Sequence, residues 1–363
     1  MPITLYSSIF LLSFSFLVLL IRYSAKLGLI DTPNQRSMHK VITPRSGGIA
    51  IFLSIIVSQF FFNLDHLVAY FPIYLSIVLI FIIGFIDDKY NISPRYKFIF
   101  IFIASIILYY NNVQITTLGT YCGYSLTLPS WFIFPFTFFA IAGFTNALNL
   151  IDGLDGLSSS ISLIILSAFL FIGQLYHDDL MITLSASFIT ATFAFILFNW
   201  NPAKIFMGDT GSLTLGIVIA ILSILSIQYI QPASVLFIIA MPLLDTFVVM
   251  TRRLQRGVSP FKADKNHMHH FLFAIKVDVK FVVILLAAIQ AAFTIIGVQL
   301  HGADNFLSLV LFCILFFIFL NLFDQRLRRR KKLKKIKKRQ RALHGKIPDM
   351  LEDEIVNPTP EIL

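Results

Sequence analysis

The chain has 363 residues, 57% of them hydrophobic, a mean hydropathy of +0.82 and a formal net charge of +10. That balance excludes a water-soluble domain and a disordered chain, and it places the protein among polytopic membrane proteins. The two cysteines, Cys122 and Cys313, exclude a disulfide framework.

A membrane span takes about 20 apolar residues. By that measure the sequence predicts eleven spans, at roughly 3–22, 47–63, 68–86, 96–111, 130–147, 156–175, 181–199, 209–228, 232–251, 280–299 and 305–323. The first run has no basic residue before Arg22 and is long enough to cross, so it reads as a span and not as a cleavable signal peptide. Each of the 29 Lys and Arg residues falls in alternate connections or in the tail. The intervening loops 63–67, 111–130, 176–180, 229–231 and 300–304 hold none. The positive-inside rule then puts the N-terminus outside and the C-terminus in the cytoplasm. The expected fold is an all-α polytopic membrane protein of about eleven helices.

Loop 111–130 departs from the helical pattern. Val113–Leu118 and Tyr124–Leu128 alternate with period two around a glycine turn, which predicts a short outer β-hairpin near 113–128. Residues 1–323 read as an integral membrane domain and 324–347 as a basic cytoplasmic tail. The tail suits a stop-transfer segment adhering to anionic headgroups. No folded nucleic-acid module is visible, so no nucleic-acid partner is expected. Residues 348–363 are acidic and expected to be disordered.

The uncommon polar residues gather on the side predicted to be cytoplasmic. Asp87 and Asp88 end the third span; Asn149, Asp152 and Asp155 follow the fifth; Asn199, Asn201, Lys204 and Asp209 lie between the seventh and eighth. After the ninth come Lys262, Lys265, His267, His269 and His270. Taken singly, each has an ordinary explanation. An Asp pair can end a helix and Asp209 can be an N-cap, while Lys89, Arg95 and Lys97 could be substrate-phosphate contacts but fit better as inside-positive residues. Adjacent carboxylates repel, however, and need a proton, a cation or a metal between them. In Asn199–Leu213, Pro202 breaks the incoming helix and Gly208 and Gly211 open the turn before the next. The N–H groups there could meet a phosphate. Phe206 could stack on a base or anchor at the interface. Histidines 267, 269 and 270 suit phosphate donors or acid–base groups, and the carboxylates favour magnesium over zinc. Together these groups suit metal-assisted phosphoryl transfer beside a bilayer.

Five strings resemble the polyprenyl-phosphate N-acetylhexosamine-1-phosphate transferase family. They are Pro44-Arg-Ser-Gly-Gly48, Gly84-Phe-Ile-Asp-Asp88, Asn146–Gly156, Asn199–Leu213 and Ser259–His270. The resemblance implies an enzyme that transfers a sugar 1-phosphate from a UDP-sugar to undecaprenyl phosphate and releases UMP with Mg²⁺ or Mn²⁺. By position, Asp87 and Asp88 match the aspartates assigned to the lipid phosphate and catalysis, and Asp209 matches the metal ligand. Asn149, Asp152, Asp155, Asn199 and Phe206 match nucleotide-binding positions. His267, His269 and His270 match the histidine motif near the diphosphate, with Lys265 where family members usually carry Arg. The spacing of the histidines looks like the O-antigen, common-antigen and teichoic-acid initiators rather than the peptidoglycan enzyme MraY. The resemblance implies GlcNAc as the first choice of sugar and FucNAc, QuiNAc or MurNAc-pentapeptide as alternatives. It also implies the bacterial inner membrane with the site on its cytoplasmic face, and often a homodimer. A flippase or transporter is the rival of another class, but only Asp245 approaches mid-membrane depth.

Overall fold

The computed structural model describes residues 2–33, 41–255, 257 and 278–321. The histidine motif, Lys265, Lys262 and the tail lie outside the described residues. The chain divides into two units, Met1–Phe312 and Cys313–Leu363, and the bundle and site described below belong to the first.

The fold is an all-α membrane bundle. Its helices are α1 (Pro2–Leu27), α2 (Gly47–Phe62), α3 (Leu64–Ala69), α4 (Phe71–Tyr90), α5 (Pro94–Tyr110) and α6 (Ser130–Ile151). There follow α7 (Leu157–Tyr176), α8 (Asp179–Asn199), α9 (Gly208–Ser226), α10 (Pro232–Ile238), α11 (Ala240–Gln255), α12 (Val279–Gln299) and α13 (Asn305–Asn321). Each of the eleven expected segments is helical. Among the described residues seven helices are long and apolar enough to cross a membrane, and α10 with α11 would make an eighth.

Helix α9 is the centre of the bundle, with 83% of its span buried, packed against α4, α6, α2 and α7. Within a bilayer, helices gain little from hiding apolar surface and associate through close packing instead. Small residues permit that here. A Cβ on Gly216 would lie 2.8 Å from Thr145 Cα on α6, and one on Gly84 of α4 would lie 2.7 Å from Thr210 Cα.

The expected ninth span is broken. Helices α10 and α11 meet at 86°, and the cause is Pro242. Proline has no N–H, and its ring clashes with the carbonyl four residues earlier, that of Ile238, where α10 ends. Gln290 of α12 repairs the damage. Its amide donates to Ile238 O at 2.7 Å and accepts from Met241 N–H at 2.9 Å. Without it Met241 N–H would be unpaired at membrane depth, and Ile238 O would keep only the longer bond from Thr294 Oγ1 at 3.4 Å.

The hairpin is present but shifted. Strands β3 (Thr117–Tyr121) and β4 (Tyr124–Thr127) pair antiparallel and turn at Cys122-Gly123, both with positive φ. Val113 and Ile115 were expected in its first strand. They are buried instead, and Ile115 N–H donates to Thr137 Oγ1 at 3.0 Å. Asn305 ties the hairpin down by donating to Leu118 O at 3.1 Å and accepting from Ala233 N–H at 3.0 Å.

A second pairing was not anticipated. Strands β1 (Ile30–Asp31) and β2 (Thr43–Pro44) lead into α2. The chain after β2 then lies beside residues 206–207. Phe206 N–H donates to Pro44 O, and the amides of Gly47 and Gly48 donate to Phe206 O and Met207 O. This ladder delivers Arg45 to the bundle end where α4 stops and α9 starts.

Candidate active site

Asp87 and Asp88 lie in the last turns of α4. Asn91 takes a left-handed conformation (φ 49°) and its N–H caps Asp87 O, so the chain reverses at once into α5. That reversal brings Lys97, from the start of α5, back over the pair. Lys97 Nζ lies 2.8 Å from Asp87 Oδ2 and also bonds Asp209 Oδ2 of α9. Asp87 and Asp209 are themselves within hydrogen-bonding reach.

Asp88 is fully engaged by its neighbours. Its Oδ1 accepts from Arg45 Nε (3.2 Å), Arg45 Nη2 (2.9 Å) and Asp209 N–H (2.9 Å). Its Oδ2 accepts from Thr210 N–H (2.8 Å) and Thr210 Oγ1 (2.5 Å). The first-turn amides of α9, which the sequence offers to a phosphate, are therefore used by a carboxylate of the protein itself. Gly208 makes this possible. It sits at φ +73°, and a Cβ there would come within 2.5 Å of Asp88 Oδ2.

Asp155 and Asn199 shape the neighbouring loop. Asp155 Oδ2 accepts from Asn201 Nδ2 and Ala203 N–H. Asn199 is buried; its oxygen accepts from Gly156 N–H, and its amide donates to Ile205 O. Asn199 thus ties Gly156 to Ile205 and holds the loop in shape. Asn149 Nδ2 donates to Ser212 Oγ at 2.8 Å, while Phe206 is half-buried with its backbone in the ladder to Pro44–Gly47.

Asp152 differs from its neighbours. It follows the end of α6 and keeps some solvent contact, yet dense protein around it pushes its pKa up to about 8. Desolvation is the main cause, the charges of Asp209 and Asp88 add to it, and Arg45 opposes it. An acid whose pKa is raised on folding takes up a proton as the chain folds. Stability therefore falls as pH rises from the ordinary 3.8 to about 8. The exchange Asp152→Asn should remove that dependence. Thermal melting in detergent should show a gain of roughly 2–4 °C over the parent at pH 8 and none near pH 4. A gain that is the same at both pH values would contradict this account.

The sequence reading singled out Asp87, Asp88, Asp152 and Asp209, and the structure brings them together. It gave no site role to Arg45 and offered Lys97 only as a less favoured phosphate contact; among the described residues these two supply the cations of the cluster. Arg45 stands in one of the five strings, and Lys97 was set down to the inside-positive pattern.

The donors suit a hard divalent ion. Asp87 and Asp209 offer carboxylate oxygens side by side, already bridged by an ammonium. Among the described residues no three acidic, histidine or cysteine side chains form a closed cage. An ion bound there would complete its shell with water and substrate oxygens, as Mg²⁺ usually does.

Comparison with known proteins agrees with this geometry. Residues 70–227, which hold most of the cluster, match the family described as glycosyl transferase family 4. The chain is 33% identical over 298 residues to a probable undecaprenyl-phosphate N-acetylglucosaminyl 1-phosphate transferase of Bacillus subtilis, covering 81% of this chain and 83% of that one. It is 30% identical over 360 residues to the undecaprenyl-phosphate alpha-N-acetylglucosaminyl 1-phosphate transferase of Escherichia coli K12, covering 94% and 96%. A Salmonella typhi protein with that same description is 31% identical over 362 residues, covering 94% and 96%. With the aspartates of α4 and α9 facing each other inside the matched region and relatives aligned over nearly their whole length, the chain belongs to glycosyl transferase family 4.

Proposed function

We propose that this protein transfers N-acetylhexosamine 1-phosphate, in the first instance GlcNAc 1-phosphate, from a UDP-sugar to undecaprenyl phosphate. UMP leaves and a lipid-linked glycan begins. One observation carries the reading: three aspartates and two cations meet at one end of a membrane bundle, where a lipid head and a nucleotide from water can both arrive. The relatives' names supply the acceptor and the sugar.

On this reading the site faces the cytoplasm of a bacterium, since the basic connections share its side. The ion would be Mg²⁺ or Mn²⁺, and Asp209 would hold it with Asp87 beside it. Such an ion would neutralise the donor's diphosphate and favour departure of UMP. The protein's own groups do the rest. Asp87 is held by a lysine side chain, which can move, and so it can turn toward the acceptor phosphate. Lys97, once released, supplies a positive charge for that phosphate. Asp152 stands next to the cluster for the donor, and Asn149, Asp155 and Phe206 are assigned to the donor with it. The segment with Lys265, His267, His269 and His270 follows α11 and serves the diphosphate. Asp155 and Asn199 keep loop 199–208 in one shape, so the donor meets a preformed surface.

The deciding experiment measures UMP release by purified protein given undecaprenyl phosphate, Mg²⁺ and a panel of donors. UDP-GlcNAc should react at least about tenfold faster than UDP-FucNAc, UDP-QuiNAc or UDP-MurNAc-pentapeptide. Release of UMP from none of them would overturn the proposal.

A further inference from the structure

The sequence pattern treats Asp87 and Asp88 alike, but their surroundings do not. Asp88 has five donors on its two oxygens, more than the roughly four lone-pair sites a carboxylate offers. Its side chain has no accessible surface, so nothing is left for a proton in transit or a substrate phosphate. Asp87 has one backbone partner, Ile92 N–H, and otherwise side chains that can swing away.

We propose that Asp88 is a positioning residue for this reaction and that Arg45 is its counterpart. Together they fix the N-terminus of α9 and so hold Asp209 in place, while the chemistry of the pair falls to Asp87. The proposal rests on the transferase reading and on Asp209 meeting the metal. Arg45 is itself held firmly. Its N–H donates to Leu29 O, and the adjoining Ser46 hydroxyl bonds that of Ser24 at 2.6 Å. Its Nη2 lies 2.9 Å from Asp88 and only 4.0 Å from Asp209 Oδ1. That second distance yields a specific expectation. In an Asp88→Asn protein the guanidinium loses its partner and turns onto Asp209, occupying the carboxylate the metal needs. Taking the charge off Arg45 as well should relieve this.

The test compares the parent, Asp88→Asn, Arg45→Gln and the double exchange as full-length proteins in detergent. Asp88→Asn should lower kcat by at least about 100-fold, and the double exchange should regain at least about tenfold of that loss. The Mg²⁺ concentration needed for half-maximal turnover should rise in Asp88→Asn and fall back in the double exchange, because Arg45 and the ion then compete for Asp209. Should the double protein melt like the parent yet be no more active than Asp88→Asn, the proposal fails. If the double protein does not fold, Mn²⁺ binding to Asp88→Asn, followed by electron paramagnetic resonance, decides instead. Affinity at least about tenfold weaker than the parent's supports positioning, and unchanged affinity with lost turnover overturns it. A parent that neither releases UMP nor binds Mn²⁺ would sink the underlying reading, so the two failures can be told apart.

Discussion

The exchange Asp209→Asn should cut UMP release by about 10³-fold while leaving the melting temperature near the parent's. Asp209 is where the cluster converges: Lys97 bonds it, Arg45 approaches to 4.0 Å, and Asp87 lies within hydrogen-bonding reach. Removing its charge takes away the proposed metal ligand. Groups that stabilise charge in the reacting state are commonly worth about 10²–10³ each, and loss of the ion would remove more than one such contact. The fold is not expected to suffer. Two carboxylates would then face two cations, Asp88 with Arg45 and Asp87 with Lys97, so no buried charge is stranded. Assay of UMP formation beside a melting curve checks both halves. Turnover within about tenfold of the parent's would defeat the assignment of Asp209 to the metal.

The second large effect lies far from the chemistry. The exchange Gln290→Leu should destabilise the protein by about 2–4 kcal/mol, because Met241 N–H would lose its partner and Ile238 O would keep only Thr294 Oγ1 at 3.4 Å, at a depth where water cannot replace the lost bonds. Leucine fits the apolar setting and nearly fills the volume, so the loss would report hydrogen bonding and not a cavity. Gln290→Glu separates the two contacts. An ionised carboxylate still accepts from Met241 but cannot donate to Ile238, and burying its charge adds a penalty of its own. Melting in detergent should show Gln290→Leu lower by roughly 4–8 °C. Activity should fall with it, since α11 leads into the segment bearing the histidines. An unchanged melting curve would mean the break in α10–α11 is held by something other than Gln290.

Much of this was legible from the residue string, for reasons that can be stated. Apolar length and the segregation of Lys and Arg report on the bilayer, a solvent the whole chain shares. Each of the eleven segments is accordingly helical and, among the described residues, seven helices are long and apolar enough to cross. The break at Ile239 was missed because the run 232–251 stays apolar across it. Hydropathy measures transfer to lipid, whereas Pro242 acts through one lost N–H and one steric clash. The hairpin was placed early because alternation at Val113 and Ile115 reflects burial beneath the sheet and not pairing within it. At the site, residue type marked out the aspartates. It could not separate Asp87 from Asp88, since the difference lies in which backbone amides happen to face each carboxylate. Arg45 and Lys97 were passed over because topology gave each a sufficient explanation, and only the reversal at Asn91 and the ladder at Pro44–Gly48 carry them inward.

The tethered cations have a consequence for how the protein is made. A membrane enzyme must leave the insertion machinery with several acids at the edge of the hydrocarbon, before any ligand has reached them. Because Lys97 and Arg45 travel on the same polypeptide, the cluster is born close to electrical balance. Assembly can thus run to completion first, and loading with the proposed metal would be a later, separate event in the life of the molecule.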